Sequence, residues 1–177
     1  MHRINNLKNH FENIVMTFNE TNAYKVLQYL KEIPLLCDMD KKSKENRKLK
    51  SNDPKHLHPV SVGRGEIYNL EITEGIGSEL SGNHLVIIIQ NQKGNMYGEK
   101  VNVLPIEGDG TKTNSNYQMA LYNTDLISGS LNKNPSRIIL TDIMTFDKAR
   151  LKNKIATIKP EKMNAIDPKI KKQLSLK

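Results

Sequence analysis

HLVIIIQNQKGNMYGEKVNVLPIEG, residues 84–108, is the stretch of sequence that decides the fold. Its continuous apolar run at 85–89 has the length of a strand and is typical of a strand covered on both faces. K-G-N (93–95) follows as a turn, and V-N-V-L-P-I (101–106) indicates the next strand. The stretch therefore predicts two successive strands of a sheet.

Further strands are expected on both sides of this stretch. G-R-G-E-I-Y-N-L-E-I (63–72) precedes it, and Y-Q-M-A-L-Y (117–122) and S-R-I-I-L-T-D-I-M-T-F (136–146) follow it. Helical signals come next, at D-K-A-R-L (147–151) and at P-E-K-M-N-A-I (160–166). Because several strands precede these helices, we expect an α+β domain with a mostly antiparallel, barrel-like sheet.

The N-terminal third of the chain has a different pattern. Apolar residues recur every three or four positions along 4–18 and again along 24–33, which predicts a helical extension over 1–37 whose second helix ends at Pro34. Residues 38–61 are polar, and 41–50 contain six Lys or Arg against one Glu. We expect 38–61 to be a basic linker, either a solvated tether or an arm that binds a polyanion.

Composition limits the classes of function. The chain has 27 Lys or Arg against 19 Asp or Glu, a net charge of +8, and such a surplus indicates nucleic acid or a membrane surface as a partner. No apolar run is long enough to span a bilayer, and the first residues lack a signal-peptide pattern. Cys37 is the single cysteine, so we expect no internal disulfide and a cytoplasmic location.

Two residues at strand ends are candidates for proton transfer. His84 begins the second strand and Glu107 ends the third, so antiparallel pairing of these strands would place both at one rim of the sheet. Such a couple can cleave RNA, because one group takes the 2′-hydroxyl proton and the other protonates the leaving 5′-oxygen. Lys112 is a candidate cation for the charge on phosphorus. A lone His at a strand entrance is otherwise a solvated or hydrogen-bonded residue.

The loop at 73–83, between the first two strands, is a candidate binding segment. Its three glycines allow the backbone to approach a ligand closely, although glycines also occur in an ordinary hairpin loop. No phosphate-binding glycine loop, nucleophile elbow or zinc-protease pattern occurs in the sequence, so we expect neither a cofactor nor a metal.

The ordered set of motifs resembles the PemK/MazF family over residues 62–177. The matching segments are R-G-E-I-Y (64–68), G-S-E (77–79), V-I-I-I-Q-N (86–91), G-N (94–95), V-x-V-x-P-I (101–106), T-F-D-K-A-R-L (145–151) and E-K-M-N-A-I-D (161–167). The resemblance implies a small bent antiparallel β-barrel, shared with the gyrase poison CcdB, and a C-terminal helix. It also implies a homodimeric toxin of a bacterial toxin–antitoxin pair, whose cognate antitoxin blocks the RNA groove. Such toxins cut single-stranded RNA without a metal, leaving 2′,3′-cyclic phosphate and 5′-hydroxyl ends.

Three positions depart from the family pattern. His84 replaces the Arg of G-S-E-x-G-G-x-R-P, Glu107 stands where a Thr usually ends the third strand, and Met144 replaces another Arg. Either the site is rebuilt around His84 and Glu107, or catalysis is lost and a module that binds nucleic acid or protein remains.

The first interpretation assigns catalysis to His84 and Glu107 in an endoribonuclease. The residues expected to contact RNA are Ser78, Glu79, Asn83 and Lys112. A further hypothesis is that the N-terminal helices dock over the RNA groove of the same chain.

Overall fold

The computed structural model describes residues 2–176, in two compact units, Met1–Cys37 and Asp38–Lys177. The first unit contains α1 (His2–Val15) and the beginning of α2 (Glu20–Asn52). Asn19 and Asn22 cap α2 reciprocally, since each side-chain oxygen accepts from the other residue's backbone N–H, at 2.9 and 3.1 Å. None of the helices in the described part combines the length and apolar composition that crossing a bilayer requires.

The structure differs from the linker expected at 38–61. Helix α2 continues through Pro34 to Asn52, and residues from Asp38 onward belong to the same unit as the sheet. Ser43 and Asn46 are each only 8% exposed, so this part of the helix is anchored by packing that a sequence pattern of Lys and Ser does not reveal. The anchored turns offset the one backbone hydrogen bond that the proline removes.

Eight strands form one sheet in which every pair is antiparallel, as expected. The strands are β1 (Glu66–Ile72), β2 (Gly82–Ile88), β3 (Lys100–Gly108), β4 (Gln118–Leu121), β5 (Leu126–Gly129), β6 (Ser136–Ile139), β7 (Met144–Asp147) and β8 (Leu151–Ile158). Their order is β4-β6-β3-β2-β1-β8-β5, and β7 pairs with another part of β3. Two helices complete the unit, α3 (Gln92–Tyr97) between β2 and β3, and α4 (Pro160–Gln173) at the C-terminal end.

The sheet curls around a main apolar cluster. Leu121 at the end of β4 and Leu126 at the start of β5 belong to this cluster, although the two strands stand at opposite ends of the strand order. Met163 and Ile166 of α4 close it. A second cluster, which includes Val86 and Val103, covers the other face. Strands β2 and β3 are therefore buried on both sides, which explains their continuous apolar runs.

One helical signal was wrong. D-K-A-R-L (147–151) begins with a single 3₁₀ turn, Lys148–Arg150, and then enters strand β8. Asp147 caps this turn by accepting a hydrogen bond from the Ala149 N–H at 2.8 Å. Asp147 is therefore correctly predicted as the start of a helical segment, but that segment is only one turn long.

Candidate active site

The candidate site lies where three neighbouring strands end. In the β2–β3 register Leu85 stands opposite Ile106, so His84 and Glu107 are the next residues out along the two strands. In the β3–β6 register Arg137 is the partner of Glu107. Because side chains alternate along a strand and these residues occupy matching register positions, all three project from the same face of the sheet.

A cavity of about 390 Å³ opens at this rim. Its polar lining residues are Asn83, His84, Glu107, Asn132, Lys133 and Ser136. Leu85, Ile106 and Gly108 form the rest of the wall. The cavity therefore combines an imidazole, a carboxylate, an ammonium and two amides over an apolar floor.

The carboxylate of Glu107 is held by one arginine. Arg137 donates from both Nε and Nη2 to Oε2, at 2.9 and 2.7 Å. Both side chains are about one third exposed, at 32% for Arg137 and 30% for Glu107. Since both bonds go to one oxygen, Oε1 is left without a hydrogen-bond partner among the described residues and can accept a proton from a ligand.

The imidazole of His84 is oriented by the preceding loop. Its Nε2 lies 2.8 Å from the carbonyl oxygen of Ser81. A carbonyl only accepts, so Nε2 carries the hydrogen and Nδ1 is the nitrogen available to a ligand. The Ser81 hydroxyl in turn accepts from the Gly75 N–H at 3.0 Å. Ser81 thus connects the two ends of the loop by one hydrogen bond and orients the imidazole by another.

A second cation lies at the end of β3. The side chain of Lys133 crosses Gly108, where an added Cβ would lie 2.3 Å from Lys133 Cδ. Asp109 follows with a left-handed backbone, φ 65°. Hydrogen bonds from Thr111 hold the pKa of Asp109 below its usual value, and the nearby charges of Arg137 and Lys133 lower it further. The rim is therefore a mixed cluster of charges.

The structure brings together three of the residues that the sequence nominates. Asn83, His84 and Glu107 line the one cavity. Ser78 and Glu79 instead line a different cavity, of about 250 Å³, with Leu80, Asp142 and Met144. Glu79 also serves the loop itself, because its Oε2 accepts from the Ile76 N–H at 2.8 Å. Lys112 is exposed between β3 and β4 and is not among the residues that line either cavity.

Sequence reasoning missed the two cations of the rim. Lys133 and Arg137 belong to a loop and strand that follow Glu107 by more than twenty residues, and only the β3–β6 register brings Arg137 to it. The pattern S-R-I-I-L (136–140) did predict the strand. Within residues 2–176, no group of three or more His, Cys, Asp or Glu is arranged to hold a metal ion.

Comparisons with known proteins identify the family of the sheet domain. Residues 63–174 match the model of the family described as PemK-like, MazF-like toxin of type II toxin-antitoxin system. Over 112 residues the chain is 36% identical to Endoribonuclease MazF of Staphylococcus saprophyticus, covering 59% of this chain and 87% of that protein.

Two solved structures show the same fold. The crystal structure of MazF (Form-I) from Deinococcus radiodurans matches with a TM-score of 0.52 and 12% identity, over 66% of this chain and 99% of that one. The structure of an endoribonuclease from a Mycobacterial species matches with a TM-score of 0.51 and 18% identity, over 66% of this chain and 94% of that one. Since the family model covers most of the chain, this protein belongs to the PemK-like, MazF-like toxins of type II toxin–antitoxin systems.

Proposed function

We propose that this chain is an endoribonuclease toxin that cleaves single-stranded RNA, mRNA included, at the cavity of His84 and Glu107. One observation carries the proposal: a carboxylate with one free oxygen and an imidazole with one free nitrogen share a single cavity with Lys133. Membership in a toxin family and similarity to a protein named an endoribonuclease support it.

The two proton-transfer groups take different roles. Glu107 is assigned the base, because Arg137 occupies Oε2 and leaves Oε1 open to accept a proton. Glu107 Oε1 therefore removes the proton from the ribose 2′-hydroxyl, and the 2′-oxygen attacks the adjacent phosphorus. The bond from phosphorus to the 5′-oxygen breaks as the protonated His84 donates from Nδ1 to that oxygen. The products are a 2′,3′-cyclic phosphate and a 5′-hydroxyl.

The cations of the rim stabilise the negative charge that develops on phosphorus. Arg137 has Nη1 free of Glu107, and a guanidinium suits phosphate geometry. Lys133 adds a second charge from the opposite loop. In this assignment Arg137 and Lys133 stabilise the charge on phosphorus, the role that the sequence suggests for Lys112. They also supply the positive charge that is lost where His84 replaces the family Arg. The chemistry uses no metal.

The partners follow from the family. We propose a cytoplasmic homodimer whose RNA cleavage is blocked by a cognate antitoxin, because the family description pairs each toxin with an antitoxin. The remaining sequence-derived RNA contacts, Ser78, Glu79 and Asn83, stay part of the proposal, with Asn83 as the one that lines the catalytic cavity.

The first experiment is RNA cleavage by the purified full chain in EDTA, with the ends mapped. We expect 5′-hydroxyl ends from the wild type, and a loss of at least a hundredfold in rate for Glu107→Gln and for His84→Ala. Lys112→Ala is the matched control and should retain wild-type activity. Absence of cleavage by the wild type would contradict the proposal and favour a non-catalytic binding module.

A second experiment separates the two roles. An RNA whose scissile 5′-oxygen is replaced by sulfur has a leaving group that needs no protonation. This substrate should restore the rate of His84→Ala close to that of the wild type but leave Glu107→Gln slow. Rescue of Glu107→Gln instead would reverse the assignment of acid and base.

A further inference from the structure

The basic segment before the sheet domain is a helix held in a fixed position. The Ser43 hydroxyl donates to Asp147 Oδ2 at 2.7 Å, and Lys42 Nζ donates to the Ala149 carbonyl at 3.3 Å. Ser43 and Asn46 are nearly buried. Residues 38–52 therefore present their outer face as a rigid surface of the same unit as the sheet.

Three lysines lie along that outer face. At 100° per residue, Lys41, Lys44 and Lys48 fall within about 60° of one another, on the side of the helix opposite Ser43 and Asn46. All three are exposed. They extend over about 10 Å along the helix axis. We call these three residues the lysine stripe.

The charges of the lysine stripe are available to a ligand. Lys41 and Lys48 have no ion-pair partner among residues 2–176. Lys44 pairs with Asp40 at 2.5 Å, but the two side chains are 68% and 58% exposed, and such surface pairs are weak. On its other side the stripe is flanked by Asp38 and Glu45, and neither carboxylate forms an ion pair with Lys41 or Lys48 within the described part of the chain. The stripe is therefore a line of point charges of one sign.

We propose that the lysine stripe binds the phosphate backbone of single-stranded RNA, as a second contact outside the catalytic cavity. A protein partner is the poorer fit, because the stripe contains no apolar residue and protein interfaces have an apolar core. Ammonium groups spaced along a rigid helix suit successive phosphates, which carry no sequence information. The choice of RNA as ligand rests on the proposed function, whereas the surface lies outside the segment that matches the family, 63–174.

The test is binding of a fluorescent 2′-O-methyl RNA of about 30 nucleotides, which cannot be cleaved, to the full-length chain at several salt concentrations. The variant is Lys41→Gln, Lys44→Gln, Lys48→Gln. The control, Lys93→Gln, Lys159→Gln, Lys172→Gln, removes the same charge from exposed lysines elsewhere. Thermal unfolding of both variants verifies that they are folded.

We expect the stripe variant to weaken RNA binding about tenfold near 0.1 M salt and to lower the slope of log K against log salt by about 2, since each phosphate contact on a single strand contributes about 0.7. The control variant should change both the affinity for RNA and the salt slope far less. Equal effects of the two variants, or no effect of either, would overturn the proposal. Retained RNA binding with lost binding of an acidic protein partner would assign the stripe to that partner instead.

Cleavage keeps this result distinct from the proposed function. The stripe variant should cleave a substrate of about six nucleotides at the wild-type rate, because such a substrate only fills the cavity. If the wild type cleaves no RNA, the proposed function fails, while the binding comparison of the two variants still decides the role of the stripe.

Discussion

At the scale of single residues, the two oxygens of Glu107 do different things. Oε2 accepts both hydrogen bonds from Arg137, and Oε1 has no hydrogen-bond partner among the described residues. The arginine thus orients the carboxylate and keeps its own Nη1 available for phosphate. A lysine in its place would keep the positive charge but lose the planar arrangement of donors.

Arg137→Lys should therefore lower the cleavage rate about 10- to 100-fold, which corresponds to the loss of one charge-assisted hydrogen bond in the transition state. The measurement is single-turnover cleavage of RNA at saturating enzyme. Arg64→Lys is the control, because Arg64 also forms an ion pair with a carboxylate, that of Asp167, outside the catalytic cavity. An equal loss in both variants would contradict a special role for Arg137.

Lys148 is a buried charge outside the catalytic site. Its side chain is fully buried, and its Nζ donates to the Asn95 carbonyl at 2.5 Å. Burial, together with the nearby charge of Lys50, lowers the pKa of Lys148 from 10.5 to about 8 against the opposing effect of Asp147. Burial and the charge of Lys148 also hold the pKa of His58 below 6.5.

This lowered pKa makes stability depend on pH. Between about pH 8 and 10.5 the unfolded chain binds a proton on Lys148 that the folded chain does not, so folding stability contributed by this residue rises with pH. Between pH 7.5 and 9.5, the free energy of urea unfolding should rise by about 2 kcal/mol more in the wild type than in Lys148→Met. Parallel pH dependences in the two proteins would show that the pKa of Lys148 is ordinary.

At the scale of elements, the end of β3 brings the site together. Two glycines there have different neighbours: a Cβ on Gly108 would meet the Lys133 side chain, and one on Gly110 would lie 2.0 Å from the Ser136 carbonyl oxygen. A flexible exposed lysine can move aside, but a backbone carbonyl in a strand cannot. The first glycine therefore serves the site and the second serves the fold.

Gly108→Ala should leave the unfolding free energy nearly unchanged and reduce RNA cleavage severalfold, because it displaces the Lys133 ammonium. Gly110→Ala should destabilise the protein by about 1–3 kcal/mol, the usual cost of overpacking. Urea unfolding and cleavage assays on both variants measure the contrast. The account of this rim fails if Gly108→Ala is the more destabilising of the two.

Elements also show what the sequence could predict. The apolar runs of β2 and β3 revealed their burial, and antiparallel pairing alone placed His84 next to Glu107 at one rim. Arg137 could not be placed, because the β3–β6 register depends on pairing between strands far apart in sequence. Pro34 and the lysines after it predicted a linker, since the tertiary packing that holds Ser43 leaves no periodic signal.

At the scale of the whole molecule, the boundary between the two compact units lies inside helix α2, between Cys37 and Asp38. Residues from Asp38 onward belong to the unit that contains both apolar clusters, and Ser43 bonds to Asp147 within it. Helix α1 exposes large apolar side chains, with Ile4 at 61% and Leu7 at 69%. Both apolar clusters consist of residues of the second unit alone.

Two truncations test this boundary. Deletion of 1–37 should leave the melting temperature of the remaining chain within a few degrees of the wild type, because both apolar clusters and the contacts of Ser43 remain. Deletion of 1–52 removes those contacts and uncovers the groups around Asp147, so it should lower the melting temperature by roughly 5–10 °C, or about 2–3 kcal/mol. Calorimetry on the three proteins measures both differences. Equal melting temperatures for the two truncated chains would show that residues 38–52 do not belong to the folded unit.

The chain that lacks residues 1–37 also tests the hypothesis that the N-terminal helices dock over the RNA groove of the same chain. This hypothesis requires the truncated chain to cleave RNA faster than the full chain does.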